Sequence, residues 1–307
     1  AIGGDMQEEK GGESMKSIEL IGNTPMIQIG ETNVYVKLEK YNPGGSVKDR
    51  AVYGMLKSAL EKKTITHDNV LIEATSGNTG IALAMLGAIL KLKVVIVMPE
   101  TMSVERRRLV QAYGAQLVLS DGKKGMQGAI DKMNELIRQN PSYVTLGQFD
   151  NPDNPQTHYE TTGAEILRQQ PNVEVFVAGI GTGGTFSGVS RRLKEKNKDI
   201  LCVAVEPASS ALLSGREAGP HKIQGIGANF VPDNFDDKVC DDVATVTNEE
   251  AIAEMIAFGR ETGILVGISS GANIAVAKRY AEYYPDRIVV TIAPDGADKY
   301  LSVVEFD

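Results

Sequence analysis

Short apolar runs rich in β-branched residues alternate with stretches of helical periodicity along this chain of 307 residues, and that alternation confines it to the α/β class. The runs fall at 69–73, 93–98, 116–119, 173–178, 201–205 and 287–292, and a further strand-like run covers Val34 to Glu39. Helix-period stretches occupy 79–91, 104–113, 124–139, 157–169, 185–196 and 249–262. The runs are continuous rather than alternating, which is the pattern of strands covered on both faces, so each sheet is expected to be mostly parallel, twisted and flanked by helices. A chain of this length accommodates two such domains. The repetition is interrupted by the polar, proline-punctuated segment from Gln148 to Pro155, where we expect the junction. Residues 1–14 are dominated by glycine and charge and read as a tail outside the fold.

Composition removes several classes of function. Lys and Arg number 32 against 40 Asp and Glu, a net charge of −8, so the electrostatic footprint of a nucleic-acid or membrane-surface binder is missing and no such partner is expected. Cys202 and Cys240 stand alone, and His67, His158 and His221 lie far apart, which argues against a disulfide framework and against metal-ligand spacing. No run of about 18 apolar residues and no apolar leader is visible, and a cytoplasmic location is expected.

In sheets of this kind, ligands collect where strands end and turns run into helices. Gly181-Thr182-Gly183-Gly184-Thr185 lies between a strand run and a helix, so its backbone N–H groups are placed to converge on an anion such as a phosphate. Gly179, Gly181 and Gly184 also match the dinucleotide fingerprint, with Glu206 near the spacing of a ribose ligand, and the loop alone does not choose between phosphate groups. Gly267 to Gly271 fits G-x-S-x-G after an apolar run, Ile264 to Val266, that reads as a strand. A hydrolase needs its histidine after that serine, and the last histidine is His221, so Ser269 reads instead as a helix cap or a ligand contact. Lys48 follows a turn of small residues that lets a planar group approach, and an aldehyde cofactor needs a lysine nucleophile, a phosphate cradle and hydrogen bonds to its ring.

Four segments taken together, Asn42 to Arg50, Glu73 to Ile81, Gly179 to Gly188 and His221 to Gly227, closely resemble the cysteine synthase (O-acetylserine sulfhydrylase) family of fold type II pyridoxal-phosphate enzymes, from about Ile21 to Ser302. The resemblance implies pyridoxal 5'-phosphate bonded to Lys48, its phosphate held by Gly181, Thr182, Gly183, Gly184 and Thr185, its ring hydroxyl by Asn78 and its pyridine nitrogen by Ser269. It also implies a substrate carboxylate bound by Thr75, Ser76, Thr79 and Gln148. The domains implied are a smaller mobile unit, 54–155, and a larger cofactor-binding unit, 15–53 with 156–307, with the active site in the cleft between them.

The reaction implied is β-replacement in two half-reactions, with the freed Lys48 amine as base at Cα and O-acetyl-L-serine and sulfide giving L-cysteine and acetate. A homodimer, and serine acetyltransferase as a partner, are implied as well. Two departures stand out: Asn229 occupies a position where the family usually carries glycine, and the stretch from Pro25 to Tyr35 is short. A polar side chain near Cβ would position water or a second thiol, which keeps open a cysteine-consuming reaction that releases hydrogen sulfide; an asparagine tolerated in a turn of positive φ is the plainer reading. An NAD(P)-binding oxidoreductase remains the distant alternative.

Overall fold

The structure is a computed structural model that describes residues 15–75 and 77–307. The expected tail at 1–14 and the site residue Ser76 lie outside the described residues.

An antiparallel pair, β1 (Met26–Gln28) and β2 (Val34–Leu38), leads into α1 (Lys48–Glu61). The next units are β3 (Val70–Ala74), α2 (Asn78–Leu90), β4 (Lys93–Pro99), α3 (Val104–Ala112), β5 (Gln116–Ser120), α4 (Gly125–Gln139) and β6 (Tyr143–Val144). They are followed by α5 (Asp153–Glu160), α6 (Thr162–Gln169), β7 (Val175–Gly179), α7 (Gly184–Lys196), β8 (Leu201–Pro207) and β9 (Asp242–Val246). The described chain closes with α8 (Asn248–Thr262), α9 (Ile268–Tyr283) and β10 (Val289–Ala293). One sheet has the order β1-β2-β10-β7-β8-β9 and the other β5-β4-β3-β6, with every pairing parallel except β1 with β2.

The two-sheet α/β expectation therefore holds, and the small sheet is made from chain inserted between β2 and β7. Its core draws on Ala51, Val52, Met55 and Leu56 of α1, which runs unbroken across residues 53 and 54. The larger sheet carries one core under α8 and α9, around Phe258 and Ile274, and another under α6 and α7, around Phe176 and Phe186.

Local chemistry accounts for the departures. The helical stretch expected over 157–169 is split at Thr161, where Thr157 Oγ1 donates to the Asp153 carbonyl and Thr161 Oγ1 to that of Thr157, back-bonding of the kind that bends helices. Ile264 to Val266 is not a strand: it joins α8, ended by Gly263 at φ 74°, to α9, and only Val266 pairs, in an isolated bridge to Gly296. Gly267 occupies the N-cap of α9, so Ser269 lies inside the first turn and is not the cap. Strand β9 escaped notice because it is a half-exposed edge strand whose Asp-Val-Ala-Thr-Val sequence lacks a continuous apolar run.

A buried ion network clamps α1 to both β2 and α6. Arg50 donates through Nε and Nη2 to Glu39 at 2.7 and 2.9 Å and through Nη2 to Glu165 at 2.8 Å, while Lys37 Nζ lies 3.0 Å from Glu165. Two cations face two carboxylates, and the Arg50 guanidinium beside Glu165 holds that carboxyl down at about 2 despite burial. Removing one partner of such a set leaves an uncompensated buried charge. Arg50→Met is expected to lower stability by about 3–5 kcal/mol, read by urea unfolding of the cofactor-free protein; an unchanged midpoint would show that the network is dispensable.

Candidate active site

The turns singled out by sequence meet at the carboxyl ends of β2, β7, β10 and β3. Lys48, Asn78, Gly181, Thr182, Gly183, Thr185 and Ser269 line one cavity, together with Asn273 from the second turn of α9. Gly184, the first residue of α7, stands directly behind the loop.

Lys48 opens α1, and its amine is pulled down to about 8 by burial, with no carboxylate among the described residues opposing that effect. The contrast with Arg50, two residues on and neutralised by two carboxylates, is complete. A lysine left without a counter-ion is easier to deprotonate, as a nucleophile or base must be.

The glycine loop enters α7 with its amides toward the cavity end of the helix, where the first-turn N–H groups have no carbonyl within the helix to bind. Gly183 sits at φ 84°, and a Cβ there would approach Phe235 N to 2.7 Å, so no other residue fits. Behind the loop, Asn154 Nδ2 donates to Thr182 Oγ1 at 2.9 Å and to the Gln148 carbonyl at 2.8 Å, and Asn234 Nδ2 donates to the carbonyls of Gln148 and Asn151 at 3.0 Å. Asn154 thus ties the 148–155 connection to the loop, and Asn234 braces the connection itself. His158, whose Nε2 is 3.3 Å from Thr185 Oγ1 and whose Nδ1 is 2.8 Å from Thr162 Oγ1, is pulled down to about 3 by burial and stays neutral. None of the three was picked out by sequence, since asparagine and histidine in proline-rich or helical segments carry no spacing signal.

At the start of α2, Thr79 Oγ1 donates to Gln148 Oε1 at 2.7 Å and Thr75 Oγ1 accepts from Gly77 N at 3.2 Å, which gathers three of the four expected carboxylate ligands beside the cavity. Asn229 is placed differently. It is exposed, at φ 66°, and accepts from Ser210 Oγ at 2.8 Å, apart from the residues that line the Lys48 cavity. Glu206, the ribose ligand of the dinucleotide reading, is consumed by the amides of Leu213 and Ser214 at 2.8 Å and by the Ser214 hydroxyl, so it is not presented to a ligand. That reading is set aside.

The family model "Pyridoxal-phosphate dependent enzyme" matches residues 18–295, and the chain belongs to that family. It is 49% identical over 290 residues to cysteine synthase B of Campylobacter jejuni, covering 94% of this chain and 97% of that one. The crystal structure of a cysteine synthase from Entamoeba histolytica superposes with a TM-score of 0.91 at 38% identity, covering 99% of this chain and 93% of that chain. A hydrogen sulfide-producing enzyme from Fusobacterium nucleatum does so at 0.89 and 43% identity, covering 94% of this chain and all of its own length (100%). The fold is fold type II, and pyridoxal 5'-phosphate is the cofactor.

The cavity fits that group. Besides the uncompensated lysine and the helix N-terminus, the Ser269 hydroxyl, in a residue 3% exposed, has no protein hydrogen-bond partner among the described residues, and Asn273 Oδ1 is buried without one. A buried acceptor such as Asn273 Oδ1 calls for a ligand or water to satisfy it, and the Ser269 hydroxyl beside it is free to bond one.

Glu73, at the end of β3, is pushed up to about 7 by burial, with Thr145 Oγ1 donating to it at 3.0 Å. In the unfolded chain it titrates near 4.5, so between these values the folded protein holds the extra proton and stability falls as pH rises through the window. Glu73→Gln keeps the acceptor for Thr145, and is expected to stabilise the protein at pH 8 by up to about 3 kcal/mol while leaving it unchanged at pH 4. Thermal unfolding at the two pH values reads the difference, and equal effects at both would assign Glu73 an ordinary pKa.

Proposed function

We propose that this chain takes O-acetyl-L-serine and sulfide to L-cysteine and acetate by β-replacement. The observation that carries the reading is the meeting, in one cavity, of an uncompensated lysine, an amide-rich helix N-terminus and an unpartnered serine hydroxyl, in a chain 49% identical to a cysteine synthase. Pyridoxal phosphate, when bound, supplies the electron sink that makes the Cα proton of the substrate removable and lets the Cβ substituent depart.

Each residue then has a physical task. The amides of Gly181 to Thr185 and the hydroxyls of Thr182 and Thr185 hold the phosphate. Lys48 bonds the aldehyde and, once released, moves the Cα proton; its lowered pKa keeps a useful fraction of the amine neutral near neutral pH. Ser269 would meet the ring nitrogen with a neutral hydroxyl, which, unlike a carboxylate, would not keep that nitrogen protonated. Thr75, Ser76, Thr79 and Gln148 bind the substrate carboxylate, and the 54–155 unit closes over it to exclude water. We place this enzyme in the cytoplasm as a homodimer open to serine acetyltransferase, on the same family resemblance.

A second reading, release of hydrogen sulfide from cysteine, is favoured by the 43% identity to the Fusobacterium enzyme. Turnover of O-acetylserine with sulfide, against turnover of cysteine with and without an added thiol, separates the two. Faster sulfide release from cysteine than cysteine formation would overturn the first reading. Lys48→Ala is expected to lose at least about a hundredfold in turnover in either direction.

The lysine also has a signature of its own. In cofactor-free protein, labelling of Lys48 by a small aldehyde with borohydride, mapped by mass spectrometry, is expected to level off above pH about 8, while surface lysines keep climbing toward 10.5. A Lys48 profile that climbs with the surface lysines would remove the basis for its role as a base at neutral pH.

A further inference from the structure

Beyond the residues that line the cavity, the turn after β10 holds three of its walls. The Pro294 carbonyl accepts from Val47 N at 2.9 Å, beside Lys48; the Asp295 carbonyl accepts from Gly267 N at 3.1 Å and Ser270 Oγ at 3.4 Å, on either side of Ser269. The Asp295 carboxylate reaches the third wall: Oδ2 accepts from Asn78 Nδ2 at 2.8 Å and from Tyr300 OH at 2.6 Å. Four residues on, Lys299 Nζ donates to Asn78 Oδ1 at 2.6 Å. Asp295 and Lys299 are both buried, at 0% and 6% exposure.

The Asn78 amide is thus gripped at both ends by groups of opposite kind. Burial pushes the Asp295 carboxyl up and the Lys299 amine down, and their mutual attraction opposes both shifts; as an ion pair, the ammonium only donates and the carboxylate accepts. Rotating the amide by half a turn would set N–H against ammonium and carbonyl against carboxylate, so only one of its two orientations is allowed. In that orientation one N–H is used by Asp295, and the other is left for the cavity that Asn78 lines.

We propose that Asp295 and Lys299 are positioning residues that lock the Asn78 amide with its free N–H toward the ring oxygen of bound pyridoxal phosphate. The proposal rests on the reading above, that the cofactor ring lies against Asn78. A fixed donor at that oxygen favours its ionised, yellow form over the neutral, near-ultraviolet form, and strengthens cofactor binding.

The test uses the holoenzyme. Lys299→Met keeps the length of the side chain and removes the donor; Asn78→Ala removes the amide; the double variant combines them, and Asp295→Asn is a second probe from the other end. Absorption spectra give the ratio of the two bands, and equilibrium dialysis gives the affinity for pyridoxal phosphate. Lys299→Met is expected to move part of the absorption to the shorter-wavelength band and to weaken binding about tenfold, Asp295→Asn to act in the same direction, and Lys299→Arg to restore most of both. If Lys299 works through Asn78, the double variant behaves like Asn78→Ala alone.

Additive effects, or a wild-type spectrum and affinity in both Lys299→Met and Asp295→Asn, would overturn the proposal while leaving the cofactor reading intact. A wild-type protein that binds no pyridoxal phosphate, or an Asn78→Ala variant with an unchanged spectrum, would overturn the placement of the ring and the proposal with it.

Discussion

Burial of one cationic side chain without a partner sets the character of this molecule. Arg50 and Lys48 occupy the first turn of the same helix, Arg50 buried and Lys48 half-buried at the cavity it lines. Arg50 is met by Glu39 and Glu165 and becomes a structural fixture; Lys48 meets no carboxylate, so the cost of its dehydration appears as a lowered pKa rather than as an ion pair. The Arg50 network anchors the very turn in which Lys48 is held. A rigid ion cluster thereby lies two residues from an amine without an ion-pair partner among the described residues.

Around that lysine the positioning is done largely by main chain. Strand ends of a parallel sheet leave carbonyl and amide groups with no ladder partner, and here those groups are spent on neighbouring turns: Pro294 on Val47, Asp295 on Gly267, Ile180 on Gly227. Side-chain amides complete the frame, with Asn154 fastening the 148–155 connection to the glycine loop and Asn234 bonding that connection from the other side. Gln148, which accepts from Thr79, is joined through Asn154 to Thr182 of the glycine loop.

Much of this was legible in sequence, for definite reasons. Doubly covered strands such as β4, with its run from Val94 to Met98, leave continuous apolar stretches, and helices of 13 to 16 residues such as α2 and α8 leave strong starts or periodicity, so the architecture could be read with boundaries close to those observed. The cavity residues were legible because glycine, lysine and asparagine in strand-to-helix turns imply close backbone approach. What escaped was whatever depends on distant pairing. The β9 edge strand lacks a contrast in polarity, the break at Thr161 comes from two hydroxyls bonding backward, and Asp295 and Lys299 owe their place to a contact with Asn78 more than 200 residues away. Asn229 shows the converse: a departure conspicuous in sequence is, in the fold, an exposed turn residue with positive φ held by Ser210.

That placement bears on which way the chemistry runs. Adding sulfide at Cβ and losing sulfide from Cβ pass through the same transition state in opposite directions, so the groups that hold the cofactor and move the Cα proton serve both equally. Relatives described as cysteine synthases and as hydrogen sulfide-producing enzymes share this fold at comparable identity to the chain, which fits a common apparatus with a variable choice of substituent. The choice must then lie with residues that touch the group leaving or entering at Cβ. Asn229, exposed and bonded to Ser210, stands outside the wall of the Lys48 cavity, so the one substitution conspicuous in the sequence is not among them.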